Sequence, residues 1–273
     1  MGEGVTETTG AHNTHFNREE HSPMNSTATL GHKVVSNSEW QRACADFLAK
    51  EKELTHLSDE VARLRRELPW TKVDKSYVFE GPRGKMTLAD LFGGHSQLCV
   101  YHFMLGPDWA EGCKSCSYLG DHLDAALVHL RARDLSLVLV STAPLATIGA
   151  FNKRMGWHIP WFSSGGTDFN HDFAITFTKE EVDSKRKAYN FGTQSPYSDE
   201  NPGMSFFYKD PSGAIFHTYS VYARGLDALL TAYVILDRAP KGRDEEGLPM
   251  SMAWVRHHDK YQPTVQIGES CCH

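Results

Sequence analysis

The sequence predicts an α/β fold with a mixed sheet flanked by helices. Residues 98–104 and 135–141 are nearly continuous apolar runs, which is typical of strands buried on both faces of a sheet. Each run is followed by a segment with apolar residues at helical spacing. Residues 204–209 and 214–221 are two further strand-like runs, and the Asp-Pro-Ser-Gly turn between them predicts an antiparallel hairpin.

The order of the elements predicts the topology. Helices are expected over residues 113–133 and 144–155, with a short third strand within residues 157–163. Alternating strands and helices imply right-handed crossovers and a parallel arrangement. A final helix is expected over residues 225–237, after the hairpin. This order of β-α-β-α, hairpin and α is the thioredoxin topology, here preceded by an extra strand pair near residues 77–88.

The chain is expected to hold one folded domain between two tails. Residues 1–34 have few large apolar groups and cannot offset their ordering entropy, so a disordered tail is predicted. Residues 35–262 form the predicted thioredoxin-like domain, which includes a long N-terminal helix over residues 36–66 and a C-terminal extension. Residues 263–273 are expected to be a flexible tail.

The N-terminal helix carries an apolar stripe. Ser36 and Glu39 match a capping box, and large apolar residues then recur every three or four positions. Such a stripe packs over a core or pairs with a second subunit, so a homodimer through this helix is a possible partner arrangement.

Bulk composition excludes several classes of function. The net charge of −6 gives no electrostatic reason to expect nucleic acid or an anionic membrane as a partner. No apolar run approaches the ~20 residues that span a bilayer. The N-terminus lacks the pattern of a secretory signal, so a cytoplasmic location is expected.

The chemistry is expected at residues 106–116, which end in Cys113-Lys114-Ser115-Cys116 at the start of a helix. A thiolate attacks a disulfide, and the unpaired N–H groups of a helix N-terminus favour a thiolate. Cys116 continues the apolar face of that helix, whereas Cys113 lies at its exposed end. We therefore assign Cys113 as the nucleophile and Cys116 as the resolving thiol, with Trp109 as an apolar wall beside them.

Charged neighbours of the pair act in opposite directions. Lys114 favours the thiolate, whereas Asp108 and Glu111 oppose it, and the sequence leaves the balance open. Beyond this redox dithiol, no cofactor or metal is expected.

Three residues elsewhere are supporting candidates. His102 lies in the strand that leads to the dithiol, and His217 and Tyr219 lie in the last strand. In a parallel α/β fold these strands could bring both histidines to the site, where histidine tunes a thiolate or binds metal. The alternative for each histidine is a hydrogen-bonded residue of the core.

Several sequence blocks, in this order, resemble a known family. They are Gly106-Pro107-Asp108-Trp109, Gly112-Cys113-Lys114-Ser115-Cys116-Ser117, Arg154-Met155-Gly156-Trp157, Phe216-His217-Thr218-Tyr219-Ser220 and Met252-Ala253-Trp254-Val255-Arg256. The family is the thioredoxin-like domain of unknown function 899, labelled in places a predicted dithiol-disulfide oxidoreductase, and the resemblance covers about residues 38–261. It implies a thioredoxin-like fold and exchange with a protein or small-molecule thiol or disulfide.

Better-known relatives differ from this chain at the site. The position of the thioredoxin cis-proline corresponds here to Met204-Ser205, and the peroxiredoxin pattern Pro-x-x-x-Thr-x-x-Cys does not fit Pro107 to Cys113. The resemblance to either class therefore stops at the fold.

Two other functions are open at this point. A copper-binding protein of this fold would use Cys113, Cys116 and His217, because soft thiolates suit Cu(I). A non-catalytic subunit would use the N-terminal helix as its interaction surface.

Overall fold

The computed structural model describes residue 1 and residues 31–262. Residues 2–30 and 263–273 lie outside the described residues, so the tails expected at both ends stay predictions. The chain divides after Val61 into two units, and the sheet belongs to the second.

The predicted N-terminal helix is present as α1 (Asn37–Arg66). Ser36 precedes it and completes the predicted capping box: its N–H donates to Glu39 Oε2 at 3.0 Å, and the N–H of Glu39 donates to Ser36 Oγ at 3.3 Å. No side chain of α1 is buried.

Eight strands of the described residues form one sheet. They are β1 (Thr71–Lys72), β2 (Val78–Gly81), β3 (Gly84–Thr87), β4 (Gln97–His102), β5 (Leu135–Ser141), β6 (Trp161–Ser163), β7 (Gly203–Lys209) and β8 (Ile215–Tyr222). Their order across the sheet is β1-β8-β7-β4-β5-β6-β2-β3.

The central strands have the predicted thioredoxin-like arrangement. β4 and β5 are parallel, and β7 and β8 are antiparallel to their neighbours. The helices α3 (Lys114–Arg131) and α4 (Leu145–Met155) connect the parallel strands β4, β5 and β6. The β2–β3 hairpin joins the edge at β6, and β1 joins the other edge at β8. The predicted fold class is confirmed.

Two hydrophobic clusters cover the two faces of the sheet. Along β4, Cys99 and Tyr101 pack in one cluster with the buried residues of α3, whereas Leu98 and Val100 pack in the other. This alternation follows from the two-residue period of a strand. The second cluster is covered by the short helices α2 (Leu88–Leu91), α5 (Phe169–Asp172) and α6 (Lys179–Asp183) together with their connecting loops.

The end of the chain differs most from the prediction. In place of one helix over residues 225–237 there is a 3₁₀ helix (Ala223–Leu229) and then α7 (Thr231–Leu236). Leu230 breaks the helix with φ −90° and ψ 86°, and its side chain is buried in the cluster of α3. The extension after Ala239 is polar in composition, yet Val255 and His257 are buried.

Smaller differences concern β1 and Pro144. A two-residue strand is too short to show a periodic pattern, so β1 was not predicted. Pro144 is the N-cap of α4 and not a residue of its first turn. Within residues 31–262, no helix is both long and apolar enough to cross a bilayer.

Candidate dithiol site

The loop between β4 and α3 places Cys113 at the N-cap of α3. The Cys113 N–H donates to the Met104 carbonyl at 3.0 Å, and the Cys113 carbonyl accepts from the Ser117 N–H at 2.9 Å. The backbone is therefore fixed on both sides of this cysteine. Its side chain is half-buried, and both Cys113 and Cys116 are free thiols.

The surroundings of Cys113 favour its thiolate. The hydrogen bond from the Cys116 thiol is the largest effect, and the N–H groups of Cys116 and Ser115 and the charge of Lys114 add to it. Together they outweigh burial and lower the pKa of Cys113 to about 7. At neutral pH roughly half of the Cys113 side chains then carry a negative charge, against a few per cent for an ordinary thiol.

Cys116 has the opposite character. Its side chain is 2% exposed, and burial together with the hydrogen bond and charge of Cys113 raises its pKa well above the ordinary value. It therefore keeps its proton and can donate it to the sulfur of Cys113. The pair thus consists of one ionised, accessible sulfur and one protonated, buried sulfur.

Two tyrosines lie near the dithiol. The buried Tyr101 is a hydrogen-bond partner of Cys116, and burial is the largest cause that raises the pKa of its hydroxyl. Tyr197 reaches the same region, since its hydroxyl lies 3.8 Å from Met104 Sδ. Sequence reasoning missed both residues, although Tyr101 directly precedes the candidate residue His102.

The C-terminal extension contributes His257 to the loop. This residue is 1% exposed, and its Nε2 lies 2.8 Å from the carbonyl oxygen of Gly112. A carbonyl only accepts, so Nε2 carries the proton and donates it. The peptide unit between Gly112 and Cys113 is therefore hydrogen-bonded at both ends. No sequence signal indicated His257, which lies far along the chain from the dithiol.

The negative charge of Glu111, the acidic residue closest to the dithiol in sequence, is balanced by two cations. Glu111 pairs with Arg154 at 2.9 Å and with Lys260 at 2.7 Å. These partners, Lys260 first, lower the pKa of Glu111. Arg154 also pairs with Asp259 at 2.8 Å. The opposition to the thiolate expected from Glu111 is therefore offset by two cations.

Trp109 lies in the same loop as the two cysteines. Its ring packs partly buried against the cluster that contains Cys116, and a Cβ on Gly106 would lie 2.8 Å from its indole Nε1. Gly106 is therefore required for the close approach of this ring.

The structure places His102 on the other face of the sheet. Its ring stacks on Phe169, which belongs to the second cluster. Nδ1 lies 3.2 Å from Asn170 Oδ1 and Nε2 lies 3.0 Å from Ser205 Oγ. Burial lowers the pKa of His102 to about 4, so the ring is neutral at pH 7. It has the surroundings of a hydrogen-bonded core residue.

His217 is on that face as well. It packs edge-on against Phe173, and its Nε2 lies 2.7 Å from Ser220 Oγ. Ser220 and Ser205 are hydrogen-bonded at 2.8 Å, so a chain of hydroxyls links the two histidines. Burial lowers the pKa of His217.

The proposed copper set is therefore not brought together. His217 packs in the second cluster, whereas Cys113 and Cys116 lie with the first. Across residues 31–262, no three side chains of His, Cys, Asp or Glu are grouped so that they could hold a metal ion.

Tyr219 lies on a different part of the sheet from the dithiol. Its ring packs against Phe206 at 5.8 Å between centroids, and the Arg65 guanidinium lies 4.9 Å from its centre. It lines a groove with the first residues of β4, whereas the dithiol follows the last. Its position along the strand relative to the cysteines is not evident from the residue pattern.

A buried carboxyl lies next to Thr142, the residue that follows β5. Glu200 is 2% exposed and accepts hydrogen bonds from Thr142 at 2.5 Å and Thr176 at 3.2 Å. Burial outweighs these bonds and raises the pKa of Glu200 to about 7. Glu200 lines a cleft of about 570 Å³ together with Pro107 of the dithiol loop. Sequence reasoning missed it, because an acid in a turn-rich segment is typical of a solvated loop.

Comparison with known families identifies the chain. The model described as "Bacterial protein of unknown function (DUF899)" matches residues 29–261, which include every residue of the dithiol loop. The chain belongs to this family. The match agrees with the resemblance found in the sequence blocks. No curated protein matches the sequence.

Solved structures to which the chain is similar include peroxiredoxins. Peroxidoxin BcpB from Mycobacterium tuberculosis is 12% identical, with a TM-score of 0.41, over 59% of this chain and 93% of that chain. Peroxiredoxin Q from Xanthomonas campestris is 18% identical, with a TM-score of 0.39, over 58% and 90%. The mitochondrial 2-Cys peroxiredoxin from Plasmodium falciparum is 10% identical, with a TM-score of 0.38, over 61% and 91%.

Proposed function

We propose that this DUF899 protein is a thiol-disulfide oxidoreductase that cycles Cys113 and Cys116 between dithiol and disulfide. The observation that carries the proposal is the position of the two sulfurs, because Cys113 lies half-buried at the N-cap of α3 whereas Cys116 is buried on the helix behind it. Cys113 has a pKa of about 7, whereas Cys116 is buried, protonated and hydrogen-bonded to it. A structural pair of buried cysteines has no need of this difference.

The reaction follows from the two roles. The Cys113 thiolate attacks one sulfur of a substrate disulfide, so a mixed disulfide forms and the other substrate sulfur leaves as a thiolate. Cys116 then loses its proton and attacks the sulfur of Cys113. This step forms the Cys113–Cys116 disulfide and releases the second substrate thiol. The substrate gains two electrons, and a dithiol donor returns them to the protein.

The substrate class stays broad. Cys113 is half-buried, and the proposed substrate is a protein or small-molecule disulfide. The protein's own thiols are the redox group of the proposal. We propose a cytoplasmic location as well, because the cytosol keeps thiols of this kind reduced.

Trapping tests the proposal. Oxidised glutathione is added to Cys116→Ser, in which the first step is possible and the second is not. We expect glutathione on Cys113, identified by peptide mapping, because the exposed Cys44 can also form a mixed disulfide. Cys113→Ser is the matched control, because it keeps the other cysteines and removes the proposed nucleophile.

Two results would contradict this function. One is Cys116→Ser that gains no glutathione on Cys113 within the time in which the wild-type protein becomes oxidised. The other is Cys113→Ser that retains the disulfide reductase activity of the wild-type protein. Either result would favour a non-catalytic role for the fold.

A further inference from the structure

The residues of α1 in the first unit, 37–61, repeat with a period of seven. If Trp40 is taken as position a of a heptad, the a positions are Trp40, Phe47, Leu54 and Val61. The d positions are Ala43, Lys50 and Leu57. Apolar residues at a and d form one narrow seam along a helix, which is the pattern of a two-stranded coiled coil.

This seam is open to solvent. Trp40 is 58% exposed, Phe47 60% and Leu54 64%, although each is a large apolar side chain. Single exposed apolar residues are ordinary, whereas a continuous exposed strip marks a surface that another molecule covers. A helix of 30 residues is about 45 Å long, so the strip is an extended one.

The residues that flank the seam carry a charge pattern. The g positions are all acidic: Glu39, Asp46, Glu53 and Glu60. The e positions are Cys44, Glu51 and Ser58. In an antiparallel pair the g residues of the two helices face each other, so every such contact would join two acids. In a parallel pair g faces e, and only Asp46 would face another acid, Glu51.

The polar residue of the seam fits the parallel pair as well. Lys50 occupies a d position, and its Nζ lies 2.8 Å from Glu53 Oε2 of the same helix. Its charged end therefore lies at the flank and not at the centre of the seam. The methylene groups of Lys50 can therefore be buried in the seam while its ammonium group stays at the edge.

We propose that the occupant of this surface is the same helix of a second copy, paired in parallel as a two-stranded coiled coil. Every copy presents the same seam, and a seam of this kind is self-complementary about a two-fold axis. Trp40 and Phe47 each offer about 150–250 Å² of aromatic surface. The aromatic pairs of a dimer thus supply a large share of the roughly 1,000 Å² that a specific interface needs.

Oligomeric state is the first test. Light scattering of the full chain should give twice the chain mass of 30.6 kDa. Leu54→Glu should convert the dimer to monomer, because it places a charge in the seam. Ala45→Glu adds the same charge at an outward-facing f position and should leave the dimer intact. A monomeric wild-type chain, or a Leu54→Glu variant that stays dimeric, overturns the proposal.

Crosslinking tests the orientation independently of folding defects. In a background with Cys44, Cys113, Cys116, Cys271 and Cys272 replaced by Ser, Ala43→Cys places a thiol at d and Ala45→Cys places one at f. Mild oxidation should give a covalent dimer through residue 43 only, because d positions meet across a parallel seam. Equal crosslinking of both variants, or a dimer without any crosslink through residue 43, contradicts the parallel coiled coil.

Discussion

Cys113 and Cys116 lie three residues apart, yet they differ in the property that decides their chemistry. The helix start supplies N–H groups to Cys113, and the buried Cys116 supplies a further donor. Cys116 has an apolar surrounding and the hydroxyl of Tyr101. At the scale of single residues, the hydrogen bond between the sulfurs contributes most to lowering the pKa of Cys113, and burial contributes most to raising the pKa of Cys116.

Changing the donor at residue 116 should shift the titration of Cys113. We expect the wild-type thiolate absorbance at 240 nm to titrate with a pKa of about 7. Cys116→Ala removes the hydrogen-bond donor and should raise the pKa of Cys113 toward the ordinary thiol value of about 8.5. Cys116→Ser keeps a donor, so its shift should be smaller.

Cys113→Ser identifies the signal in this experiment, because the step near pH 7 should disappear. An unchanged pKa in Cys116→Ala would mean that the hydrogen bond between the sulfurs does not set the charge of Cys113.

At the scale of elements, the dithiol loop depends on the segment that follows Ala239. His257 of this segment donates to the Gly112 carbonyl, and Lys260 of the same segment pairs with Glu111. The loop is therefore fixed from outside by a part of the chain that does not belong to the β-α-β-α-β-β-α core.

Removal of the His257 ring should destabilise this loop. His257→Ala leaves the buried Gly112 carbonyl without its donor, a change that costs about 1–3 kcal/mol. We expect the free energy of unfolding in urea to fall by that amount and the pKa of Cys113 to move. The neighbouring His258 pairs with Asp121 at the surface, so His258→Ala is the control.

A loss of stability in His258→Ala as large as that in His257→Ala would point to a general effect of the segment. In that case the contact with Gly112 would have no special part in holding the loop.

The elements differ in how well the sequence predicted them. Long segments with a clear apolar pattern, such as β4, β5 and α3, were predicted because burial in the core sets their pattern. The helix α1 was predicted from its capping box and apolar stripe, although none of its side chains is buried. The strand 98–104 is apolar on both faces, so its alternation did not reveal which residues face the dithiol. Tyr101 faces it and His102 does not. His257 and Glu200 depend on contacts between distant segments, which periodicity does not encode.

At the scale of the whole molecule, Glu200 couples stability to pH. Its pKa in the folded protein is about 7, above the ordinary value near 4.5, so folding favours the protonated carboxyl. The stability that protonation contributes is fully present below about pH 4.5 and is lost as the pH rises through 7. The shift corresponds to up to about 3 kcal/mol.

Glu200→Gln should remove this dependence. Glutamine is uncharged at every pH and still accepts hydrogen bonds from Thr142 and Thr176. We expect the difference in unfolding free energy between Glu200→Gln and the wild-type protein to grow in favour of the variant between pH 5 and 8. Urea unfolding across this range measures it, and a difference that stays constant with pH would show that Glu200 is ionised throughout.

The hydrogen bond from His257 to Gly112 also bears on how this motif could be transferred. The segment from Gly106 to Cys116 does not contain all of the residues that hold it in place. Grafted onto another thioredoxin-like scaffold, it would bring both cysteines and leave behind the imidazole that holds the peptide group in front of them.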